Sequence, residues 1–273
     1  MPFEPGPRPA LRARDPRRVG DWSILRRLGS GGMGVVFLGV RDGDGRLGAV
    51  KLIADAMLDD PTFLARFSRE VEALRRVSGP HVAAMLDADV AGESSYLVTE
   101  YIDGRALQAV VDGEGALGPR QWWATARGLL VALTRVHAAG IVHRDLKPTN
   151  VIVAGEQPWL IDFGMAALLD ASSMTASRAL LGTLGWMAPE RLRGGQATPA
   201  SDLFSLGAVL AFGGTGRPPF GADGPVTTLT RVLAGDSDVA GLAADQAVLV
   251  RALLSDDPSA RPTARDALLA LPR

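Results

Sequence analysis

The sequence predicts an α+β fold in two parts, a small strand-rich part over residues 19–102 and a larger, mostly helical part over residues 103–273. Apolar and polar residues alternate around residues 22–40, and apolar runs follow at 49–53 and 96–102, which indicates antiparallel strands. Apolar residues then recur at helical spacing over 122–136 and 203–212. No internal repeat interrupts this order, so we expect one domain built from strands first and helices second.

Composition narrows the classes of function. The chain has 273 residues, of which 47% are hydrophobic and 22% charged, as in ordinary globular proteins. A net charge of −1 provides no overall field for nucleic acid, so no nucleic-acid partner is expected. The absence of cysteine excludes disulfides, thiolate metal sites and a cysteine nucleophile, and three scattered histidines make a zinc site unfavourable.

Location follows from the same composition. The N-terminus has no apolar core of a secretory signal, and no apolar run reaches the ~18 residues of a membrane span. We therefore expect a cytoplasmic chain, with membrane anchoring only through a C-terminal region outside this sequence. Residues 1–18 are rich in Pro and Arg, and we expect a flexible, solvated arm there. Contact of this basic arm with a lipid or nucleic-acid surface is the less favoured alternative.

A glycine-rich turn joins the first two predicted strands. Gly29, Gly31 and Gly34 would let a tight hairpin lie close to a ligand, with backbone N–H groups free for phosphate oxygens. A dinucleotide-binding fold would require a helix after the glycines, whereas this chain continues with the apolar run 35–38. The pattern favours a hairpin over a ligand, and an ordinary hairpin turn is the alternative.

Two charged residues of the first part could satisfy each other. Lys51 lies on the predicted strand 49–53, and a helix is expected to start at Asp60-Pro61, with Asp as N-cap and Pro in the first turn. Glu70 lies on the same flank of this helix as Phe67, so it can face inward. An exposed helix carboxylate is the alternative for Glu70.

Rare residues single out the segment from His143 to Asn150. The chain has 29 basic residues but only two lysines, Lys51 and Lys147, and its single asparagine is Asn150. A composition that replaces Lys with Arg suggests that the remaining lysines do what a rigid guanidinium cannot. Asp145 and His143 accompany two of these rare residues, so this segment is the main candidate for chemistry.

The second part continues with further elements. A short hairpin over 151–153 and 159–161 is expected to end in Asp162-Phe163-Gly164, and a long Ser/Thr-bearing loop should follow to Ala188-Pro189-Glu190. Loops of this length inside compact domains are usually functional. Asp202 is expected to open a helix, apolar nearly all round over 203–212 and therefore buried.

Taken in this order, the motifs resemble a eukaryotic-type serine/threonine protein kinase catalytic domain of the actinobacterial kind, from about Trp22 to Leu269. The resemblance implies the bilobal protein-kinase fold, with ATP between a small β lobe and a larger helical lobe. It rests on the glycine loop, the strand lysine, the octet, the Asp-Phe-Gly and Ala-Pro-Glu motifs, and the later residues Asp202 and Arg261. We find no departure at a catalytic position.

The resemblance also implies roles for residues. Asp145, Lys147, Lys51 and Glu70 would be catalytic, and Asn150 with Asp162 would bind Mg²⁺, which Mn²⁺ could replace. The residues implied to bind ATP are Leu28, Gly29, Ser30, Gly31, Gly32, Met33, Gly34, Val36, Ala49, Lys51, Thr99, Glu100 and Ile102. Lys147 is typical of the serine/threonine branch, and Thr183 would line the acceptor site.

Regulation is expected in the long loop. Arg144 needs an anion, which a phosphate on Thr175, or on Ser177 as second choice, would supply after autophosphorylation. Unmodified loop residues are the alternative. We also expect a buried Glu190–Arg261 ion pair, and backbone N–H bonds from the catalytic loop to Asp202.

Three hypotheses of function remain open from sequence. The first is an active protein kinase, with a possible homodimer for trans-autophosphorylation. The second is a pseudokinase acting as a nucleotide-dependent binding module, and intact Lys51, Asp145, Asn150 and Asp162 argue against it. The third is a small-molecule kinase of related fold, which the glycine loop and the long Ser/Thr-bearing segment disfavour.

Overall fold

The computed structural model describes residues 10–31, 34–58, 61–90, 95–162, 183–221 and 223–272. The chain divides into two compact units, Met1–Arg75 with Ala83–Tyr101, and Arg76–Val82 with Ile102–Arg273. The sequence places the division at about residue 102 but assigns residues 76–82 to the first part. In the structure, the Leu160 N–H donates to the His81 carbonyl at 2.8 Å, and Val82 forms a parallel bridge with Leu160, which ties that segment to the second unit.

In the described residues, the first unit is an antiparallel sheet of six strands, and its two helices lie in the connection between the fourth and fifth strands. The strands are β1 (Arg18–Val19), β2 (Trp22–Gly31), β3 (Gly34–Arg41), β4 (Leu47–Ile53), β5 (Met85–Asp89) and β6 (Tyr96–Glu100), in the order β1-β2-β3-β4-β6-β5. The helices α1 (Asp55–Leu58) and α2 (Pro61–Leu74) lie between β4 and β5. Pro61 is the first residue of α2, as the sequence predicts, while Asp60 lies outside the described residues.

One face of this sheet carries the core of the first unit. Trp22, Phe37, Val50 and Val98 are fully or almost fully buried there. Gly48 makes room for the indole, because a Cβ at that position would lie 2.6 Å from Trp22 Cζ3 and 2.5 Å from Val98 Cγ1. The core is therefore an apolar layer on one side of the sheet. The alternate residues of the same strands, such as Val36 and Lys51, lie on the opposite face.

Residues 10–18 differ from the flexible arm that the sequence predicts to residue 18. Leu11 packs against the core of the first unit, and Asp15 is buried and paired with Arg27. The composition of the segment misled the prediction, because one carboxylate with a bidentate partner can order a stretch that has few apolar groups.

The second unit is mostly helical. Its strands β7 (Arg105–Ala106), β8 (Val151–Ala154) and β9 (Gln157–Leu160) form a small antiparallel sheet in that order. Its helices are α3 (Leu107–Glu114), α4 (Pro119–Ala138), α5 (Pro189–Leu192), α6 (Pro199–Thr215), α7 (Pro225–Ala234), α8 (Ala244–Leu253) and α9 (Ala264–Leu269), with 3₁₀ turns at Pro148–Asn150, Leu184–Trp186 and Pro258–Ala260. These elements, with the sheet of the first unit, confirm the α+β class.

Helix α6 is the central element of the second unit. It is buried from Ser201 to Gly213, as the all-round apolar pattern predicts, and it packs against α4 and α8. The predicted start at Asp202 is wrong by three residues. Thr198 is the N-cap, and its side chain and Ser201 form a capping box ahead of Asp202, which places the Asp202 carboxylate in the first turn. In the described part of the chain, no helix has the length and apolarity needed to span a bilayer.

Candidate functional site

The segment from His143 to Asn150 is an irregular loop anchored on the buried helix α6. The backbone N–H groups of His143 and Arg144 donate to the two carboxylate oxygens of Asp202 at 2.8 Å and 2.9 Å. The Asp202 side chain is 1% exposed, and His137 Nε2 lies 2.9 Å from its Oδ2. These contacts confirm the predicted backbone bonds to Asp202, and they fix the start of the loop to the core of the second unit.

Asp145 is the centre of a polar network within this loop. Lys147 Nζ donates to both carboxylate oxygens of Asp145, at 2.8 Å and 3.1 Å, and both side chains are about one quarter exposed. The Asn150 amide donates to the Asp145 carbonyl at 2.7 Å and to its Oδ2 at 3.2 Å. The structure therefore brings together three of the residues that the sequence predicts in the site, with a carboxylate that remains accessible to a substrate.

Asn150 presents an oxygen atom for a cation. Because its amide nitrogen is committed to Asp145, the side-chain carbonyl oxygen is the group left to act as a ligand. Asp162, the other predicted metal ligand, is half-buried two residues after the end of β9. Neutral and anionic oxygens are the donors that Mg²⁺ prefers, so the residues present fit the ion implied by the sequence.

His143 holds the loop against the β8–β9 hairpin from inside. Its side chain is buried, and its Nε2 lies 3.0 Å from the Ile161 carbonyl, directly before Asp162. The Ile161 N–H in turn donates to the Asn150 carbonyl at 3.0 Å. These two contacts connect the loop of Asp145 to the residue preceding Asp162, although Asp145 and Asp162 are 17 positions apart in the sequence.

Strained backbone marks both sides of this connection. Arg144 has φ of 70° and Asp162 has φ of 61°, which non-glycine residues seldom adopt. Such a conformation costs about 1–3 kcal/mol and persists only where surrounding contacts hold it. For Arg144 the Asp202 carboxylate is such a contact, because it accepts the N–H of that same residue.

A buried ion pair between Glu190 and Arg261 stabilises the second unit. Arg261 donates to both carboxylate oxygens of Glu190, at 2.7 Å and 2.8 Å, and its side chain is 0% exposed. This contact confirms the predicted Glu190–Arg261 pair. It lies at the start of α5, where Glu190 follows Pro189 in the first turn.

Sequence reasoning missed two side chains near the loop. His137, in the last turn of α4, contacts Asp202, and Arg191 Nη1 donates weakly to the Arg144 carbonyl at 3.4 Å. Burial lowers the pKa of Arg191 from its ordinary value, an effect that nearby Asp202 opposes and nearby Arg144 reinforces. Arg191 belongs to no apolar pattern and to a common residue type, so no sequence signal identifies it. His137 is one of only three histidines in the chain, and that rarity is the signal that could have identified it.

Four of the nucleotide-binding residues that the sequence predicts share one face of the sheet of the first unit: Val36, Ala49, Lys51 and Thr99. Val36 pairs directly with Lys51, and Ala49, two residues away on β4, pairs with Thr99. Side chains alternate along a strand, so Val36, Lys51 and Ala49 lie on the face opposite Phe37 and the rest of the core. Register alone therefore places these predicted residues together.

The glycine hairpin lies at one end of this face. Gly29 pairs with Val36, and Gly31 pairs with Gly34. Gly34 has φ of 142°, and a Cβ there would lie 1.9 Å from the Leu52 carbonyl oxygen, so only glycine fits. Among the other predicted nucleotide residues, Leu28 and Ser30 lie on β2 and Glu100 ends β6, all in the first unit. Ile102 begins the main segment of the second unit, and Gly32 and Met33 lie outside the described residues.

The remaining predicted residues are placed individually. Glu70 is half-buried on α2 and Lys51 half-buried on β4, within the same unit, and their mutual contact stays a prediction. Thr183 precedes the 3₁₀ turn Leu184–Trp186. Thr175 and Ser177 lie outside the described residues.

A family model described as the protein kinase domain matches residues 22–270. The probable serine/threonine-protein kinase PkwA of Thermomonospora curvata is 43% identical, over 99% of this chain and 35% of that protein. The serine/threonine-protein kinase AfsK of Streptomyces coelicolor is 39% identical, over 94% of this chain and 32% of that protein. The chain therefore spans about a third of the length of these relatives.

A solved structure has a similar fold. The crystal structure of Rad53 1–466 in complex with AMP-PNP superposes with a TM-score of 0.77 at 26% sequence identity. The match covers 91% of this chain and 64% of that chain. The similarity therefore extends over most of the present sequence.

Proposed function

The chain belongs to the protein kinase domain family, and on this basis we propose that it transfers the γ-phosphate of ATP to serine or threonine hydroxyls of proteins. The observation that carries the proposal is the Lys147–Asp145–Asn150 network, held on the buried Asp202. The relatives described as serine/threonine-protein kinases support the class of acceptor.

ATP binding is assigned to the sheet of the first unit. Lys51, a compact ammonium, would bind the α- and β-phosphates and would be held in place by Glu70. Backbone N–H groups of the glycine hairpin would cover the phosphates. The further residues proposed to contact the nucleotide are Leu28, Gly29, Ser30, Gly31, Gly32, Met33, Gly34, Val36, Ala49, Thr99, Glu100 and Ile102.

A divalent cation is assigned to Asn150 and Asp162. Their oxygens would hold Mg²⁺, and Mn²⁺ could take the same place because it also accepts oxygen ligands. The ion, when bound, neutralises charge on the phosphates of the nucleotide.

The transfer step is assigned to the loop residues. Asp145 would accept the proton of the acceptor hydroxyl, or orient that hydroxyl for in-line attack on the γ-phosphorus. Lys147, 2.8 Å from the Asp145 carboxylate, would stabilise the charge that develops on the transferred group. Loss of one such contact typically costs about 3 kcal/mol, or a hundredfold in rate. Thr183 would line the acceptor site.

Regulation and location extend the proposal. Autophosphorylation at Thr175 or Ser177 would supply the anion for Arg144, and a homodimer would allow this reaction in trans. We propose that the chain acts in the cytoplasm on protein substrates.

One experiment tests transfer and separates it from pure binding. The chain is incubated with labelled ATP, Mg²⁺ and a generic protein acceptor, beside Asp145→Asn and a matched control, Asp112→Asn, on the exposed surface of α3. We expect label on the acceptor with the wild type and the control, and none with Asp145→Asn. Equal labelling by Asp145→Asn would contradict the assignment, whereas nucleotide binding without any labelling would favour a pseudokinase.

A further inference from the structure

The segment before β2, residues 10–19, forms a strap across the first unit. Leu11 packs against the apolar core of that unit, and Val19 is buried and pairs with Trp22. The Ile24 N–H donates to the Arg17 carbonyl at 2.9 Å, just beyond the short β1–β2 pairing. The strap therefore lies along the outer edge of β2.

A buried ion pair fastens the strap to β2. Arg27 Nε donates to Asp15 Oδ2 at 2.7 Å and Arg27 Nη2 donates to Oδ1 at 2.5 Å. The exposed fractions of the two side chains are 4% for Asp15 and 12% for Arg27. The Arg12 N–H also donates to Asp15 Oδ2 at 2.7 Å, so the carboxylate is held from two sides. The bond from Arg27 lowers the pKa of Asp15 to about 2.

The position of Arg27 on β2 gives this pair its significance. The β2–β3 register shifts between Ile24 and Arg26 and again between Arg27 and Gly29, so Arg27 lies between two irregularities. In the described residues, β1 pairs with β2 only at Trp22 and Ser23, which leaves the later part of β2 paired on one side, with β3. A bulged edge strand deforms more easily than a regular, doubly paired one.

Arg27 lies on the core face of the sheet, opposite the face proposed to bind the nucleotide. Arg27 lies in the rung of Phe37, with its guanidinium carbon 5.7 Å from the centre of that ring, on the core face. Gly29 and Val36 lie in the next rung, and Val36 belongs to the opposite face with Lys51. The Asp15–Arg27 ion pair therefore restrains the base of the glycine hairpin from the core face, without itself contacting a nucleotide.

We propose that Asp15 is a positioning residue for nucleotide binding, which acts by fixing Arg27 and through it the strand that carries Gly29 to Gly31. This inference rests on the proposed function of the glycine hairpin. With the carboxylate removed, the hairpin samples displaced positions, and ATP affinity falls while the chemistry at Asp145 is unchanged.

The test uses matched variants of one kind. Asp15→Asn removes the charge of the strap, Arg27→Gln removes its partner, and the double variant removes both. Asp44→Asn is the control, because Asp44 also accepts two bonds from Arg41, but at an exposed turn between β3 and β4. Each protein is assayed for KM of ATP, kcat and thermal melting.

The result separates positioning from stability alone. We expect KM for ATP to rise about tenfold in Asp15→Asn with kcat within about twofold of wild type, since remote coupling of this kind typically amounts to 0.5–2 kcal/mol. The double variant should be no worse than either single variant, because the pair acts as a unit. A lower melting temperature with an unchanged KM would overturn the proposal, and so would additive losses in the double variant.

A measurement without nucleotide distinguishes this proposal from the proposed function. Hydrogen exchange of the amides of residues 28–31 is compared in the free wild-type and Asp15→Asn chains. We expect exchange about tenfold faster in the variant and no change in Asp44→Asn. Unchanged protection at residues 28–31 would overturn the positioning role of Asp15 even if the chain proves an active kinase. Faster exchange in a chain that binds no ATP would show that the Asp15–Arg27 pair restrains the hairpin but has no role in nucleotide binding.

Discussion

Replacing Glu190 with glutamine tests how much the second unit depends on one buried charge. In the wild type all five N–H groups of Arg261 are used. Two bonds go to Glu190, and the others go to the backbone carbonyls of Ser255, Ala200 and Asp256. The guanidinium carbon also lies 5.1 Å from the centre of the Phe204 ring on α6. Glu190→Gln keeps the shape of the side chain but turns an amide N–H toward a donor of Arg261.

The magnitude follows from burial. Removing one partner of a buried ion pair typically costs about 3–5 kcal/mol, because the remaining charge is left without a counter-ion. The Arg261 side chain is 0% exposed and cannot recruit water, whereas Glu190 is 20% exposed, so we expect a loss of about 3 kcal/mol in the free energy of unfolding. For domains of similar size this corresponds to a decrease in melting temperature of roughly 6–12 °C.

The assay needs a control that loses the same charge at the surface. Glu156→Gln serves, because Glu156 pairs with Arg120 at 3.1 Å while the two side chains are 57% and 86% exposed. We expect that control to change stability by less than about 1 kcal/mol. Thermal and urea unfolding followed by far-UV circular dichroism measure both variants. Equal losses in the two proteins would refute the argument that burial makes the Glu190–Arg261 pair important.

Three further outcomes are expected. Asp202→Asn should lower kcat about a hundredfold in a kinase assay, because Arg144 loses the charge that holds its positive φ, and unchanged kcat would contradict this role. Burial first, and Asp87 second, raise the pKa of Tyr96 to about 12, so the unfolded chain releases this proton earlier and stability should fall as pH rises from 10 to 12. Urea unfolding across that range should show the fall in the wild type and a smaller one in Tyr96→Phe. Gly48→Ala should lower the free energy of unfolding by about 1–3 kcal/mol, because the new Cβ would overlap Trp22, and a melting temperature equal to that of wild type would show that the sheet relaxes at no cost.

Local patterns predicted the parts of the fold that depend on periodicity and rare residues. Alternation placed Phe37 and Lys51 on strands, and the all-round apolar stretch predicted a buried α6. The resemblance to protein kinases also predicts the Glu190–Arg261 pair and the backbone bonds to Asp202. These features can be predicted because each depends on a pattern of neighbouring residues or on a motif spacing shared by similar proteins.

Contacts between distant, unpatterned residues could not be predicted. The Asp15–Arg27 pair joins two common residue types in an arginine-rich segment, so no local signal distinguishes Arg27 from its neighbours. The start of α6 was misplaced because Thr198 and Ser201 form the cap, whereas an aspartate in the first turn is also a good capping residue by type. Residues 76–82 joined the second unit through the His81 carbonyl, a contact with β9 that no periodicity encodes.

The attachment of an irregular loop to α6 has a consequence for how the second unit opens. The amides of His143 and Arg144 belong to no helix or strand, yet their hydrogens are held by a carboxylate that is 1% exposed in the centre of the helical core. We therefore expect exchange of these two hydrogens with solvent to require opening of the buried first turn of α6. Slow exchange at residues 143 and 144, close to the rate set by global unfolding, would make this loop a reporter of the core.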